Sequence, residues 1–275
     1  MYFDILEIMD ESSDRPRRRQ NGPSLPPGPN LPAHLAHMEP FFPGQPKSLS
    51  GIALRAFCLG LALATGIIAT GYLVIFSESP GWRVPLFLVC LSTFHFLEFW
   101  TTAERNTLVA SIDSFLLMSN GLAYAVAHAA AFTECAVVSV FFPGRAWLPQ
   151  VLSTALLGLG LTLVVVGQVV RSAAMMHAGV SFNHQVQTYR ADTHALVTDG
   201  IYSMFRHPSY FGFFWWGLGT QLVLGNVVCF IGYAVVLWRF FYTRIRHEEE
   251  NLMRFFGDEY VKFRERVPTR IPFIK

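Results

Sequence analysis

Four uncharged stretches constrain this chain more than any other feature. Ala56 to Ser77, Ser114 to Thr133 and Ala146 to Val170 contain no Asp, Glu, Lys or Arg. Each reaches or exceeds the roughly 20 residues that a helix needs to cross a bilayer core. The fourth, Pro208 to Trp238, is too long for one upright span and carries Gly225-Asn226 near its middle, which divides it into a hairpin of two short helices. Val84 to Leu97 is shorter, but Trp82, Arg83, Glu98 and Trp100 flank it as an interfacial belt flanks a span. The pattern predicts an all-α polytopic integral membrane protein with about six transmembrane helices. Composition agrees, since 52% of the 275 residues are hydrophobic, 15% are charged and the mean hydropathy is +0.36, too apolar for an ordinary water-soluble domain.

Basic residues set the orientation, because short loops rich in them stay cytoplasmic. Arg15, Arg17, Arg18, Arg19 and Lys47 precede the first span, and the loop from Arg171 to Arg206 and the tail after Arg239 are also basic. The alternate connections, Glu78 to Arg83, Pro143 to Trp147 and Gly225-Asn226, are short, so both termini are expected to face the cytosol. The basic residues lie in pieces beside spans and form no single soluble face, so nothing in them points to a nucleic acid partner. Residues 1–50 are Pro-rich, lack periodicity and read as a disordered leader, with residues 51–275 as the membrane domain. No apolar segment follows the Arg cluster to make a signal peptide. Cys58, Cys90, Cys135 and Cys229 are scattered among spans and read as packing residues.

From Arg171 onward the composition changes. Arg171, His177, His184, Gln185, Gln187, Arg190, Asp192, His194 and Asp199 crowd one inter-span segment, a polar density that predicts a lid or ligand loop. Within it, Val197 to Tyr202 offers an Asp-Gly turn between two β-prone pairs, where the backbone can fold back on itself. The last span should run beyond the membrane surface and end at Gly257 as a C-cap, with Asp258 capping a short final helix that stops before Pro268. Ile271 to Ile274 is expected to be an extended apolar strip.

Two groups of residues could carry chemistry. In Arg206-His207-Pro208, proline suits the first helical position and His207 falls at the cap, so the free N–H groups of Ser209 and Tyr210 would face the cytosolic loop with the positive end of the helix dipole behind them. Such a site suits a carboxylate. Spacing alone leans toward a plainer account, in which Arg206 and Tyr210 are interfacial anchors and Pro208 only starts the helix. Arg244 and Glu248 share a helix face where the last span leaves the membrane; they are either a solvated pair or an arginine for a carboxylate and a glutamate for a hydroxyl or cation. The histidines form no metal-ligand pattern. His95 and Glu98 read as a hydrogen-bonded structural pair, Glu134 and Asp113 as groups that flank their span and snorkel or pair. Gly158-Leu-Gly160 lies inside a span and supports no Rossmann nucleotide site.

The sequence resembles the isoprenylcysteine carboxyl methyltransferases, most densely in GVSFNHQVQTYRADTHALVTDGIYSMFRHPSYFG (Gly179 to Gly212) and EEENLMRFFGDEY (Glu248 to Tyr260). The Arg-His-Pro-x-Tyr element is shared with membrane phospholipid methyltransferases and sterol reductases, whereas the NHQVQ to THALVT block is similar to the prenylcysteine enzymes. The resemblance implies a multi-pass endoplasmic reticulum enzyme with its active site facing the cytosol. It would use S-adenosyl-L-methionine, releasing S-adenosyl-L-homocysteine, to methylate the C-terminal carboxylate of farnesylated or geranylgeranylated proteins of the CaaX type, small GTPases among them. It also implies a cytosolic cofactor loop and C-terminal helices, with a cofactor-binding core over about 171–275. Cofactor contacts would fall on Gln187, His194, Ala195, Leu196, Val197, Tyr202, His207, Pro208, Ser209, Tyr210 and Glu248, and the substrate contact on Arg244. Animal relatives resemble an eight-span design; here a polar leader stands where the first two spans would be, giving the six-span count of fungal relatives.

A carboxylate is already ionised near neutral pH, so methyl transfer to it needs no general base, only alignment and partial dehydration. The nearest alternative is a phospholipid amine methyltransferase, whose acceptor would not want an arginine. A transporter would place ionisable residues deep within spans, whereas here they gather at one edge.

Overall fold

The computed structural model describes residues 32–143, 148–190 and 194–275. Seven α-helices follow in order: α1 (Leu49–Phe76), α2 (Arg83–Arg105), α3 (Gly121–Phe141), α4 (Gln150–Ala178), α5 (Pro208–Leu224), α6 (Val228–Phe256) and α7 (Asp258–Arg266). Among the described residues five segments are long and apolar enough to cross a membrane: α1, Pro80–Arg105 with α2, α3, Gln150–Ser181 with α4, and α6. The protein is thus a multi-pass membrane protein. The sixth element, α5, has 17 residues and spans only about 25 Å.

Helices α5 and α6 form the expected hairpin. Gly225 closes it at φ +67, with its N–H bonded to the Leu222 carbonyl (3.1 Å) and the Asn226 N–H to the Gln221 carbonyl (3.1 Å), the paired bonds of a Schellman cap. The start of α6 is held by Glu134 of α3, whose carboxylate accepts from the N–H groups of Val227, Val228 and Cys229 at 2.7, 2.9 and 2.7 Å. An anion at a helix N-terminus meets both unsatisfied donors and dipole. Glu134 therefore caps a neighbouring helix rather than flanking its own span.

The tightest packing joins α4 to α5. A Cβ placed on Gly212 would stand 2.5 Å from the Gly167 carbonyl oxygen, and one on Gly160 would stand 2.9 Å from the Gly219 oxygen. Only glycine permits backbones to approach so closely, a common device where helices associate in lipid. Around this seam α5 buries Phe214, Trp216 and Leu218, and Trp216 packs on Phe94 of α2 with ring centroids 4.6 Å apart.

Four expectations need correction. The leader predicted for residues 1–50 lies outside the described residues up to position 31, but Ala33–Phe41 is a 3-10 helix. The chain after it is tied to the α2–α3 loop, where the Ile112 N–H donates to the Pro46 carbonyl (2.8 Å), because loop donors near a membrane need partners. The span predicted from Ser114 begins instead at Gly121, since Ile112–Phe115 is a 3-10 turn and Leu116 takes a left-handed φ of +55. Asp199-Gly200 opens a 3-10 helix over Gly200–Ser203, not a strand turn. Finally, residues 271–274 form a turn, Ile274 N–H to Ile271 carbonyl at 3.1 Å, because Ile271 and Ile274 both bury into the core. Helix α6 does end at Gly257 (φ +53); that glycine also occupies the cap of α7, with Asp258 in its first turn.

Candidate active site

The end of α4, the loop after it, the start of α5 and the emergent part of α6 surround one cleft of about 670 Å³, counted out to its open mouth. Ten of the expected residues line it: His194, Ala195, Leu196, Val197, Tyr202, His207, Pro208, Ser209, Tyr210 and Glu248. Gln187 does not; its amide donates to the Gln185 carbonyl at 3.0 Å. Arg244 stands beside the cleft, one turn before Glu248, with Nε donating to the Tyr210 hydroxyl (2.9 Å) and Nη2 donating to the His184 carbonyl. Its guanidinium carbon also lies over the rings of Tyr210 (5.4 Å) and Phe240 (5.7 Å).

The helix start is less open than expected. The Tyr210 N–H turns back to the His207 carbonyl (3.1 Å), Pro208 has no N–H, and Ser209 keeps the one amide there without a protein acceptor among the described residues. Side chains supply the rest of the polarity. Buried in the wall, Glu248 Oε2 and the Tyr260 hydroxyl have no partner in hydrogen-bond geometry among the described residues, and His207 Nδ1 is 3.6 Å from Glu248 Oε2. Native interiors rarely leave such atoms unmatched. An acceptor and a hydroxyl aimed at one cleft suit a ligand with its own charged donors. Glu249, the adjacent residue, is paired by contrast: its Oε1 takes Arg206 Nε at 2.6 Å and His207 Nε2 at 3.1 Å.

Beneath the cleft lies a closed ion pair. Glu98 of α2 is fully buried and receives both Nε and Nη2 of Arg171, the latter at 2.7 Å, while Arg171 Nη1 donates to Ser209 Oγ at 3.1 Å. The expected His95–Glu98 pair is not formed. His95 instead meets the Phe115 carbonyl through Nδ1 (2.8 Å) and the Tyr124 hydroxyl through Nε2 (3.2 Å), because the bidentate guanidinium satisfies Glu98 better than an imidazole. His184 bridges the two layers: Nδ1 is 3.7 Å from Glu98 Oε2 and its carbonyl holds Arg244. Burial pushes the His184 imidazole down to about 4, the pull of Glu98 notwithstanding, and Arg171 and Arg244 add to the effect. It is neutral at physiological pH. Burial likewise lowers His194, with Arg190 nearby, and raises the Tyr202 phenol.

The loop is anchored at several points. Asn106 Nδ2 donates to the Phe182 carbonyl (3.2 Å), the Ala195 N–H to Ser181 Oγ (3.2 Å), and Arg190 Nη1 to the Phe255 carbonyl (3.1 Å) with its guanidinium over Phe256 (4.6 Å). Sequence reasoning missed the apolar wall of Leu252, Phe256, Tyr260 and Phe263. Leu252 and Phe256 follow Glu248 at four-residue steps, a periodicity that marks one helix face. Among the described residues no group of three or more His, Cys, Asp and Glu is placed to hold a metal ion.

A family model described as isoprenylcysteine carboxyl methyltransferase matches residues 159–254, from the middle of α4 through nearly all of α6. The human protein-S-isoprenylcysteine O-methyltransferase is 44% identical over 224 residues, covering 82% of this chain and 75% of the relative. The chain belongs to the isoprenylcysteine carboxyl methyltransferase family. Its Saccharomyces cerevisiae relative of the same name is 43% identical, covering 82% of this chain and 92% of that one. Among solved structures, the intramembrane Ras methyltransferase of this family, solved without a monobody, superimposes with a TM-score of 0.72 at 35% identity, over 82% of this chain and 77% of that one. This protein is therefore a membrane methyltransferase, and most of the cleft just described, apart from Phe256, Tyr260 and Phe263, lies in the part of the chain that the family model matches.

Proposed function

We propose that the protein methyl-esterifies the C-terminal carboxylate of prenylated cysteine, taking the methyl group from S-adenosylmethionine in the cleft. The observation that carries this reading is the placement of Arg244 and Glu248 on one face of α6, one beside Tyr210 and the other in the cleft wall. S-adenosylmethionine supplies an electrophilic methyl group on a sulfonium. The residues present fit it: Glu248 Oε2 is an open acceptor for its amino donors, the Ser209 amide at the α5 start suits its carboxylate, and Leu196, Tyr202 and Phe256 offer flat apolar surface.

Arg244 orients the acceptor carboxylate. Two of its nitrogens are spent on Tyr210 and His184, which fix the guanidinium plane and leave Nη1 for the substrate. That fixed geometry is what a one-step displacement requires, since the nucleophile needs alignment rather than activation. Tyr210 contributes twice, through its ring in the cleft wall and its hydroxyl on Arg244. The prenyl chain is already partitioned in the bilayer and reaches the site laterally. Placement in the endoplasmic reticulum membrane, with the cleft toward the cytosol, is part of the same reading.

Membranes containing the protein should transfer labelled methyl from S-adenosylmethionine to a farnesylcysteine analogue and not to phosphatidylethanolamine. Transfer to the lipid amine alone would replace this reading with that of a phospholipid methyltransferase.

A further inference from the structure

The segment after α7 folds back along α6 and encloses a second cavity, about 1050 Å³ counted to its open mouth, which the methyl-transfer reading does not use. Arg206, Arg246, Arg264 and Lys275 line it, with Tyr242 and Phe273 beside them. Glu249 is the carboxylate in that wall; it binds Arg206 and stands 3.7 Å from Arg264 Nη1. Four cations against one acid leave the cavity positive. Arg206 is 5% exposed, and its Nη2 is buried without a hydrogen-bond partner among the described residues.

Depth narrows the choice of anion. At 1.5 Å per residue, Arg246 stands about 27 Å along α6 from Val228, close to the far face of a hydrocarbon core roughly 30 Å thick. That is the level of lipid phosphates. Below Arg246 on the same helix, Trp238 and Tyr242 stack with centroids 5.2 Å apart, and Trp238 Nε1 donates to the Pro272 carbonyl at 2.8 Å, which ties the segment after α7 to the hydrocarbon side of the cavity. Phe273 adopts φ +62, a conformation unusual for a non-glycine residue, and its side chain is 91% exposed while Ile271 and Ile274 point inward. A ring held outward at that depth meets acyl chains.

We propose that this cavity binds the headgroup phosphate of an anionic phospholipid, with Arg246 and Lys275 as its outer cations and Phe273 and Tyr242 against its acyl chain. A zwitterionic choline headgroup would bring a cation into an already positive cavity. The site shares only Arg206 with the lining of the cleft, and the readout that tests it is lipid binding rather than methyl transfer.

The test uses the full chain in neutral detergent and an acyl-labelled fluorescent phosphatidylglycerol, with phosphatidylcholine and inorganic phosphate as competitors. Arg246→Gln with Lys275→Gln should weaken binding by roughly tenfold or more, as expected for losing two interfacial cations, with methyl transfer in the same detergent retained as the check on folding. Phe273→Ser should weaken lipid binding as well. Undiminished binding by the double variant, or equal competition by phosphatidylcholine, would overturn the proposal. Displacement by inorganic phosphate as effective as by unlabelled phosphatidylglycerol would overturn it too, by assigning the cavity to a soluble anion.

Discussion

Helix α1 buries Leu59 and Gly66 out of 28 residues, whereas α5 buries twelve out of 17. Both are uncharged over most of their length, and α1 is the longer. Its outward face carries Ile67, Ile68 and Ile75, at 55%, 71% and 72% exposure, which only lipid can cover. Helix α5 is enclosed by protein, welded to α4 through glycine, and its first turn supplies His207, Pro208, Ser209 and Tyr210 to the cleft. Apolarity therefore serves two ends in one molecule. In α1 it matches the solvent, and in α5 it fixes the position of polar groups.

That contrast can be broken most forcefully at Glu98. Glu98→Ala strands the Arg171 guanidinium beneath the first turn of α5, and loss of one partner from a buried pair costs about 3–5 kcal/mol. Thermal unfolding in detergent should register it, and methyl transfer should fall because Arg171 also holds Ser209. A variant with unchanged melting and activity would show that the node does not support the cleft. Next comes Gly212→Ala, whose new methyl must displace the Gly167 backbone; overpacking of this kind costs roughly 1–3 kcal/mol. Methyl-transfer rates should drop along with stability, since Gly212 lies one turn from Pro208. If stability alone changed, α5 would be a scaffold no different in kind from α1.

Acid titration gives a smaller effect confined to the cleft side. The unfolded chain protonates His184 near pH 6.5, whereas the folded protein does so only at about 4. The folded-state value is depressed, so this contribution is complete above pH 6.5 and is lost as pH falls from there to about 4. His184→Gln should flatten that window in a stability profile. Helix α1 carries no His, Asp or Glu and adds nothing to it. The smallest expected effect is on α1 itself: Ile68→Leu should stay within about 0.5 kcal/mol and leave methyl transfer unaltered.

Much of this organisation was legible in the sequence because it is local. The Gly225-Asn226 turn, the emergent α6 with its cap at Gly257, and the helix start at Pro208 all follow from residue type and spacing. The grouping of ten cleft residues rests instead on the family resemblance; most of them belong to two short segments, His194 to Val197 and His207 to Tyr210. What escaped was set by partners far away in the chain. Glu98 and Arg171 are 73 positions apart, and nothing near Glu98 announces its guanidinium, so His95 looked like the natural partner. Glu134 caps a helix that begins 94 residues later. The displaced start of α3 has another cause: hydropathy is blind to backbone angle, and Leu116 turns left-handed inside an uncharged run. The unpaired oxygen of Glu248 next to a Glu249 bonded to Arg206 and His207 was likewise invisible, because two adjacent glutamates differ only in the direction each side chain takes from α6.

The central claim is a division of labour on α6, with Glu248 for the methyl donor and Arg244 for the acceptor. Its most direct test is to measure S-adenosylmethionine affinity and methyl transfer to a farnesylcysteine analogue side by side in Arg244→Ala and Glu248→Ala. Arg244→Ala should hold the donor within about twofold of wild type while losing roughly 100-fold or more in turnover, and Glu248→Ala should lose donor affinity. Wild-type turnover in both variants, or loss of donor affinity in Arg244→Ala with none in Glu248→Ala, would contradict it.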